Sequence, residues 1–452
     1  MNKAWQVIGL AGLVGLAVNA YADVQNIRLS GDIRVRGYYL VNTAGSGSRQ
    51  DNIQDLLVSQ RTRVSVEADL EDNILVVVTL KAEGLWGQDN QTDDVVDGSG
   101  AGTANDEDQE AINRNWDLGV AEAYVQFNEM FYAPLTLKVG RQYLHYGRGL
   151  IFSSIEQEYN FDAVRAVLDY YPLTIDVVLA RLGENSLFSD INEENDVNLV
   201  FVNARYEFTD ALLKNVEAYF GYVINNDSSM STPSRVPPIA NDSAGSPMIV
   251  GVRSDFNITE NWEMWAEGAY EFGSATSGDN ISAWLANVGG RLTLKDTEWT
   301  PAFNANYIFA SGGGSDGHNN FRPWFDYVDG YNGYLFMPLL SNIHIFNLGA
   351  SIKPSENTSF SVQGYYYMKV DKENPFASGS NRNVDFGGLG WVSGTNSREL
   401  GWEIDAIFGY DYSKDVRFQL VYAAFIPENG MHSDQPAQSV AHLVRGELTA
   451  RF

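Results

Sequence analysis

The sequence ends with Val444-Arg445-Gly446-Glu447-Leu448-Thr449-Ala450-Arg451-Phe452. Apolar residues and glycine occupy every second position of this segment, and charged or hydroxyl side chains occupy the positions between them. Successive side chains of a β-strand point to opposite faces, so this alternation predicts a strand with one apolar and one polar face. The segment therefore predicts a sheet that separates two different environments.

The same alternation recurs along the chain, for example in residues 29–37, 58–70, 262–272 and 399–410. Many of these runs last roughly 9 to 13 residues, close to the length of a tilted strand that crosses a bilayer. Strands of soluble proteins are usually about five or six residues long. The pattern therefore favours membrane-spanning strands over a soluble sandwich.

Short turns and long polar loops alternate between these runs, and we predict long loops at 87–115, 144–160, 225–246, 310–341 and 369–397. Short turns on one side and long loops on the other are typical of outer-membrane barrels. The sequence thus predicts an all-β fold, a transmembrane antiparallel up-and-down β-barrel of about 18 strands with short periplasmic turns and long extracellular loops. Two runs, 74–86 and 173–182, alternate weakly, so the pattern leaves the direction of their side chains open.

Both ends of the chain carry features of an outer-membrane protein. Residues 1–22 combine a positive start, an apolar stretch and Ala20-Tyr21-Ala22, which has the small-x-small form of a signal-peptidase site. The apolar stretch, of about 15 residues, is shorter than the ~20 that a spanning helix needs. We therefore expect a signal peptide at 1–22 and an outer-membrane β-barrel at 23–452, surrounded by the outer-membrane lipid of a Gram-negative-type bacterium. The terminal Phe452 resembles the signal that barrel-assembly machinery recognises.

Composition argues against several functional classes. The 452 residues include no cysteine, and 30 Lys plus Arg stand against 58 Asp plus Glu, a formal net charge of −28. Without cysteine there is no disulfide scaffold and no thiolate chemistry, and the acidic balance argues against a nucleic-acid partner. The five histidines form no HExxH pair and no close cluster. We therefore predict no metal, no cofactor and no enzymatic reaction.

The predicted loop 87–115 is strongly acidic. Its carboxylates could in principle bind calcium, but their spacing does not match an EF-hand. The composition therefore favours a solvated surface loop over a calcium site. If this loop folded over the mouth of the barrel it would repel polyanions, which is a hypothesis of gating.

Most arginines of the predicted strands lie on the face opposite the apolar residues. That face should be the lumen, because an arginine that faces lipid at the bilayer midplane costs about 2–4 kcal/mol. We therefore place a set of basic residues in the lumen as a candidate pathway for anions, since a guanidinium group can bind a carboxylate through two hydrogen bonds. The set is Arg34, Arg36, Arg61, Arg63, Lys81, Arg141, Arg165, Arg205, Arg417, Arg445 and Arg451, and Arg253 and Arg291 share the same face. Arg141 lies where its strand ends near the outer mouth, so a role in packing the loop, with Asp162 or Glu156 as its partner, stays open as an alternative.

Acidic residues on the same face, such as Asp32, Glu67 and Asp169, leave the alternative open that these arginines form ion pairs along the wall. The first, second and last strands become neighbours when a barrel closes. Closure would place Arg34, Arg36, Arg61, Arg63, Arg445 and Arg451 on one wall, and the Glu263-Glu267-Glu271 and Glu399-Glu403-Asp405 stripes elsewhere.

A more specific motif is Gly140-Arg141-Gln142, followed by Tyr146-Gly147 and by Phe161-Asp162 with Arg165. Here the chain resembles the alginate-export porin family, which shows G-R-Q at the end of a strand, Y-G close behind it and F-D-G-x-R at the start of the next strand. The resemblance implies an electropositive barrel of about 18 strands that exports an anionic polysaccharide and is gated by a long external loop and a long periplasmic turn. The chain departs from this pattern at Ala163, where glycine is usual, and in its short last turn, Tyr412 to Asp415.

The preferred functional hypothesis is an outer-membrane channel that passively moves an anionic poly- or oligosaccharide or small anions through an arginine-lined lumen. Two alternatives stay open. The acidic stripes favour a general or cation-preferring porin, and the acidic loops favour a surface-structural or adhesin barrel.

Overall fold

The computed structural model describes residues 25–42, 54–71, 73–87, 115–155, 159–183, 197–209, 212–225, 245–274, 280–313, 319–322, 324–325, 330–374, 397–431 and 439–452. The predicted signal peptide at 1–22 and nearly all of the acidic loop 87–115 lie outside these residues. No helix among the described residues is long and apolar enough to cross a membrane.

The described residues form 18 strands and a single 3-10 turn, Met130–Tyr132. The strands are β1 Asn26–Val41, β2 Gln54–Asp69, β3 Ile74–Leu85, β4 Asn115–Phe127, β5 Leu135–Tyr143, β6 Asn160–Tyr170, β7 Leu173–Gly183, β8 Val197–Glu207, β9 Leu213–Asn225, β10 Ser246–Thr259, β11 Trp262–Ser274, β12 Asn280–Thr293, β13 Ala302–Ala310, β14 Ile343–Ser355, β15 Thr358–Lys369, β16 Glu399–Asp411, β17 Val416–Pro427 and β18 Ala441–Arg451.

Each strand pairs antiparallel with its neighbours in sequence, and β1 also pairs antiparallel with β18. The C-terminal segment therefore closes the sheet: Gly31 and Phe452 exchange two backbone hydrogen bonds of 2.9 and 3.0 Å. A closed sheet pairs the backbone groups that an edge would leave open, which a sheet in lipid requires. The predicted antiparallel barrel of 18 strands is confirmed.

The alternation of side chains separates the two faces of the wall. On β1, Ile33 is 39% exposed on the outside, whereas its neighbours Asp32 and Arg34 are 6% and 4% exposed on the inside. The two weakly alternating runs follow the same rule, since Val77 on β3 and Val178 on β7 are buried inside and Val78 and Leu179 are exposed outside.

The interior is not polar along its whole length. Towards the external ends of the strands, apolar side chains also point inward and pack into one buried cluster, which includes Tyr38, Phe201 and Phe425. The cluster also contains Phe152 and Phe336, which belong to connections between strands. Two connections therefore fold into the barrel, and they explain why apolar residues occupy inward positions there.

Candidate functional site

Six of the predicted lumen residues lie together on four adjacent strands, β18, β1, β2 and β3. They are Arg34, Arg36, Arg61, Arg63, Lys81 and Arg445, and we call this set the basic wall. Cross-strand register places Arg34 directly opposite Arg61, and Arg63 directly opposite Lys81. Like charges placed opposite each other repel. A negatively charged group bound between these side chains would reduce that repulsion.

Carboxylates interleave with the basic wall. Arg36 Nε donates to Glu447 Oε2 over 2.6 Å, and Lys81 Nζ lies 3.0 Å from Glu83 Oε2. Asp32 pairs with both Arg61 and Arg63, the Arg61 distance being 3.3 Å. Asp32, Glu83 and Glu447 are thus ion-pair partners within the basic wall, and among the described side chains on this part of the four strands basic residues are more numerous than carboxylates.

Of the remaining inward-facing residues of the predicted set, Arg451 lies on β18 directly opposite Asp32, as predicted, at the periplasmic end of the same wall, and the others lie on β6, β8 and β17. Arg165 donates to Asp176, Arg205 lies 3.2 Å from Glu207, and Arg417 lies 2.7 Å from Asp411. Arg417 and Arg451 line a cavity of about 840 Å³ at the periplasmic mouth. These cations are therefore distributed around the interior, mostly in ion pairs.

Arg141 requires a correction, because its side chain does not face the lumen. It makes two hydrogen bonds of 2.7 Å to Asp162. Asp162 lies on the outer face of β6, between the buried Phe161 and Ala163, and its side chain is 50% exposed. Alternation within β5 in fact places Arg141 on the same outward face as Leu137 and Val139, so the lumen assignment did not follow from the alternation, and the observed pairing with Asp162 is the alternative role considered for this residue. Arg141 is accordingly left out of the pathway proposed below.

The first inner loop comprises residues 144–155, between β5 and β6. Tyr146 donates a hydrogen bond of 2.8 Å from its hydroxyl to Asp176 on the wall, and burial raises the pKa of this hydroxyl. The Arg148 guanidinium lies 3.7 Å above the Trp265 ring and 3.6 Å from Asp255. Cation–π and ionic contacts of this kind stabilise the loop against the inside of β7, β10 and β11.

The second inner loop belongs to the connection from β13 to β14, whose described residues are 311–313, 319–322, 324–325 and 330–342. Glu271 on β11 accepts a hydrogen bond of 2.9 Å from the Arg322 backbone N–H and one of 3.2 Å from Trp324 Nε1. Glu403 on β16 accepts three backbone hydrogen bonds, each 2.8 Å, from the successive residues Tyr334, Leu335 and Phe336. The two acidic stripes therefore supply the anchors of this loop.

The two inner loops meet inside the barrel. Phe152 and Phe325 form a parallel β-bridge, and their rings stack with centroids 5.2 Å apart. The second inner loop also reaches the basic wall, because the Arg445 guanidinium lies 4.7 Å from the Tyr334 ring. The two loops therefore occupy part of the barrel interior: the first reaches Asp255 and Trp265 in the periplasmic half, and the second contacts the basic wall.

The recognised motif positions the first inner loop. Gly147 has a φ of 64°, and a Cβ at this residue would collide with the Arg253 guanidinium, so the position requires glycine. Phe161 packs edge-on against Phe325 at 4.8 Å, and Gln142 Nε2 donates to the Ala163 carbonyl over 3.1 Å. Within the described residues these motif side chains contact the protein itself, which assigns them a structural role.

Sequence reasoning missed two features of the interior. Lys138 lies on the inward face of β5 opposite Arg165, and its ammonium is 3.5 Å from the Tyr124 ring centroid; alternation within β5 would have identified it. On β13 to β15, the amides of Asn304, Asn347 and Gln363 hydrogen-bond to one another. This part of the wall is therefore polar but uncharged. Among the described residues, no three acidic or histidine side chains are grouped so that they could hold a metal ion.

Comparison with known proteins agrees with the barrel fold and with the family resemblance of the sequence. A family model described as "Alginate export" matches residues 27–444. No curated protein matches the chain.

Solved barrels resemble it over nearly their full lengths. OccK11 (OpdR) of Pseudomonas aeruginosa has a TM-score of 0.53 at 12% identity, and the match covers 94% of this chain and 96% of that one. OccAB4 of Acinetobacter baumannii has a TM-score of 0.55 at 10% identity, with 95% and 99% covered. OpdK of Pseudomonas aeruginosa, solved with vanillate, has a TM-score of 0.52 at 11% identity, with 94% and 98% covered. At these identities the likeness concerns the fold alone.

Proposed function

This chain belongs to the alginate-export family of outer-membrane barrels, and from that premise we propose that it is a passive channel for anionic oligo- or polysaccharides or small anions. Its function would be selective permeation along the basic wall, with no chemical step.

The observation that supports this proposal is the clustering of Arg34, Arg36, Arg61, Arg63, Lys81 and Arg445 on four adjacent strands, where among the described side chains they pair with Asp32, Glu83 and Glu447. A bore lined on one side by excess positive charge raises the local concentration of anions. Guanidinium groups suit a carboxylated sugar in particular, because they bind carboxylates through two parallel hydrogen bonds.

The alternative of a cation-preferring porin depends on the acidic stripes. Glu271 and Glu403 are fully buried and accept hydrogen bonds from the second inner loop, and Glu267 accepts one of 2.8 Å from the Tyr219 hydroxyl. Arg34, Arg36, Arg61 and Arg445 are buried to a similar degree, so burial does not separate the two functions. What favours the anion channel is that these carboxylates already accept hydrogen bonds from the protein, whereas the basic wall places like charges opposite each other. The adhesin alternative depends on loop 87–115, which lies almost entirely outside the described residues.

Two further proposals concern how the protein reaches the membrane. We propose that residues 1–22 act as a signal peptide and that the barrel-assembly machinery recognises the C-terminal strand through Phe452. The Phe452 side chain is 60% exposed at the end of β18, which is compatible with such recognition.

Block of the ionic current by a sugar acid tests the proposed function. We expect an oligomer of uronic acid to block a single channel in a planar bilayer at lower concentration than a neutral oligosaccharide of equal length. The double variant Arg34→Gln with Arg61→Gln should lose much of that difference, because two of the cations that hold the carboxylates are gone.

The matched control is the double variant Arg141→Gln with Arg181→Gln, which removes the same charge from outward-facing positions. Its block by the uronate oligomer should equal that of the unmodified protein. Equal block by uronate and neutral oligomers in the unmodified channel would refute the proposal, as would equal losses in the two double variants.

A further inference from the structure

A band of uncharged amide side chains lines the interior of four adjacent strands, β12 to β15. These amides face inward, because the residues beside them on the strands, such as Phe303 and Leu348, are 51% and 68% exposed on the outside. We call this band the amide wall, and it consists of Asn287, Asn304, Asn306, Asn347 and Gln363.

The amide wall and the basic wall occupy corresponding positions along the bore. On β13 the next inward residue on the external side of Asn306 is Ile308, which belongs to the buried apolar cluster. On β1 the next inward residue on the external side of Arg36 is Tyr38, which belongs to the same cluster. Both walls therefore border the apolar cluster on its periplasmic side, and a solute that passes one wall also passes the other.

The amides hold one another in place and still keep hydrogen-bonding capacity. Asn306 Oδ1 accepts from Trp265 Nε1 over 3.0 Å and from Asn287 Nδ2 over 2.8 Å. The half-buried Asn306 donates through Nδ2 to no group among the residues that the structure describes. Gln363 Nε2 makes one hydrogen bond there, of 3.3 Å to Asn304 Oδ1. Since an amide nitrogen carries two N–H groups, donors remain on both Asn306 and Gln363.

Two inward-facing glycines make room for this network. A Cβ at Gly289 would lie 2.5 Å from Asn306 Oδ1 and 2.5 Å from the Trp265 ring, and a Cβ at Gly349 would collide with the Gln363 amide. Both glycines lie on strands beside the amides that cover them. The amides therefore lie along the wall, and a larger residue at either glycine would displace them.

Donors and acceptors without net charge match the chemistry of hydroxyl groups, because a hydroxyl both donates and accepts, whereas a carboxylate only accepts. The charged neighbours do not change this character. Glu263 and Arg291 lie directly opposite each other on the periplasmic side of the wall, so their charges balance. The neighbouring carboxylates of Asp405 on β16 and Glu267 on β11 are buried.

We propose that the amide wall binds the ring hydroxyl groups of sugar units that pass the basic wall. This inference rests on the proposed function and extends it, because it assigns the two chemical features of an acidic sugar to different walls. The basic wall binds the carboxylate, and the amide wall distinguishes a sugar from any other chain of carboxylates.

Block of the single-channel current by three probes tests this assignment. The probes are a uronate oligomer, a neutral oligosaccharide of equal length, and a glutamate oligomer with as many carboxylates as the uronate. Asn306→Leu removes the amide and should weaken block by both sugars about fivefold, the effect of one lost hydrogen bond. Block by the glutamate oligomer should stay unchanged, because this probe carries no hydroxyl groups.

Gln126→Leu is the matched control. It removes an amide from β4, which lies halfway around the barrel from β13, where Gln126 is opposite the inward-facing Lys138. Block by all three probes should match that of the unmodified channel.

The inference is overturned if Asn306→Leu weakens block by all three probes equally, which indicates a change of the bore alone, or if it leaves block by both sugars unchanged. If Asn306→Leu does not fold, Gln363→Leu replaces it with the same expected results. Failure of the proposed function has a different signature, namely uronate block that does not respond to Arg34→Gln with Arg61→Gln.

Discussion

Replacing Glu403 with alanine is expected to raise the single-channel conductance severalfold. The Glu403 carboxylate accepts the backbone N–H groups of Tyr334, Leu335 and Phe336, each at 2.8 Å. A hydrogen bond to a charged group contributes about 1.5–3 kcal/mol, and a buried N–H without an acceptor is costly. With three such bonds lost at once, the second inner loop should leave its position in the bore and widen the passage.

Planar-bilayer recording checks this expectation, and Glu263→Ala is the matched control. Glu263 also faces the interior, but it is exposed and lies at the periplasmic end of β11, the opposite end of the barrel from the loop. Its replacement should leave the conductance unchanged. If Glu403→Ala conducts like the unmodified channel, the second inner loop does not limit the current.

Replacing Arg253 with leucine is expected to lower the free energy of unfolding by about 3–5 kcal/mol, the usual cost of breaking a buried ion pair by removing one partner. The side chains of Arg253 and Glu217 form an ion pair and are only 5% and 3% exposed. Arg253 also packs against Gly147 of the first inner loop. Its loss leaves Glu217 without its nearest charge partner and the loop without part of its support.

Denaturant unfolding of the barrel in lipid vesicles measures this loss. The control is Arg28→Leu, which breaks ion pairs with Glu67 and Asp69 at an exposed site, since the Arg28 side chain is 47% exposed. Exposed pairs contribute about 0–1 kcal/mol, so Arg28→Leu should change the unfolding free energy little. Comparable losses in both variants would show that burial does not increase the contribution of the Arg253–Glu217 ion pair to the free energy of unfolding.

The barrel itself was predictable from sequence because its determinant is local. Lipid outside and water inside impose a period of two on the strands, and β1, β11 and β18 display it over much of their lengths, away from the inward-facing apolar residues at their external ends. Closure of the sheet then follows from the absence of an edge that lipid tolerates. The neighbourhood of Arg34, Arg61 and Arg445 was predictable for the same reason, since closure makes the first, second and last strands adjacent.

Local pattern fails where the backbone departs from regular pleating. The alternation of residues 399–410 puts Leu400 on the same face as Trp402, which is 50% exposed on the outside, but Leu400 is fully buried inside. Gly401 between them has a φ of 153°, and the register of β15 with β16 shifts at this point. Such a bulge reverses the direction of the side chains on one side of it. The alternation of apolar and polar residues does not predict where a bulge occurs.

The inward course of the two loops could not be read from the sequence either. Their anchors, Glu271, Glu403 and Asp176, are separated from their loop partners by 30 or more residues. On a strand, each of these carboxylates has the appearance of any other charge that faces water. Only the folded barrel identifies them as hydrogen-bond acceptors for loop groups. In the sequence these carboxylates favoured a cation-preferring porin, whereas in the structure they hold the two loops inside the barrel.

The sign of the reversal potential under a potassium chloride gradient tests the basic wall most directly. We predict a potential that corresponds to preference for chloride in the unmodified channel, and a reduced or reversed preference in the double variant Arg34→Glu with Arg61→Glu. A potential that corresponds to preference for potassium in the unmodified channel, or a selectivity that the double variant leaves unchanged, would contradict the account.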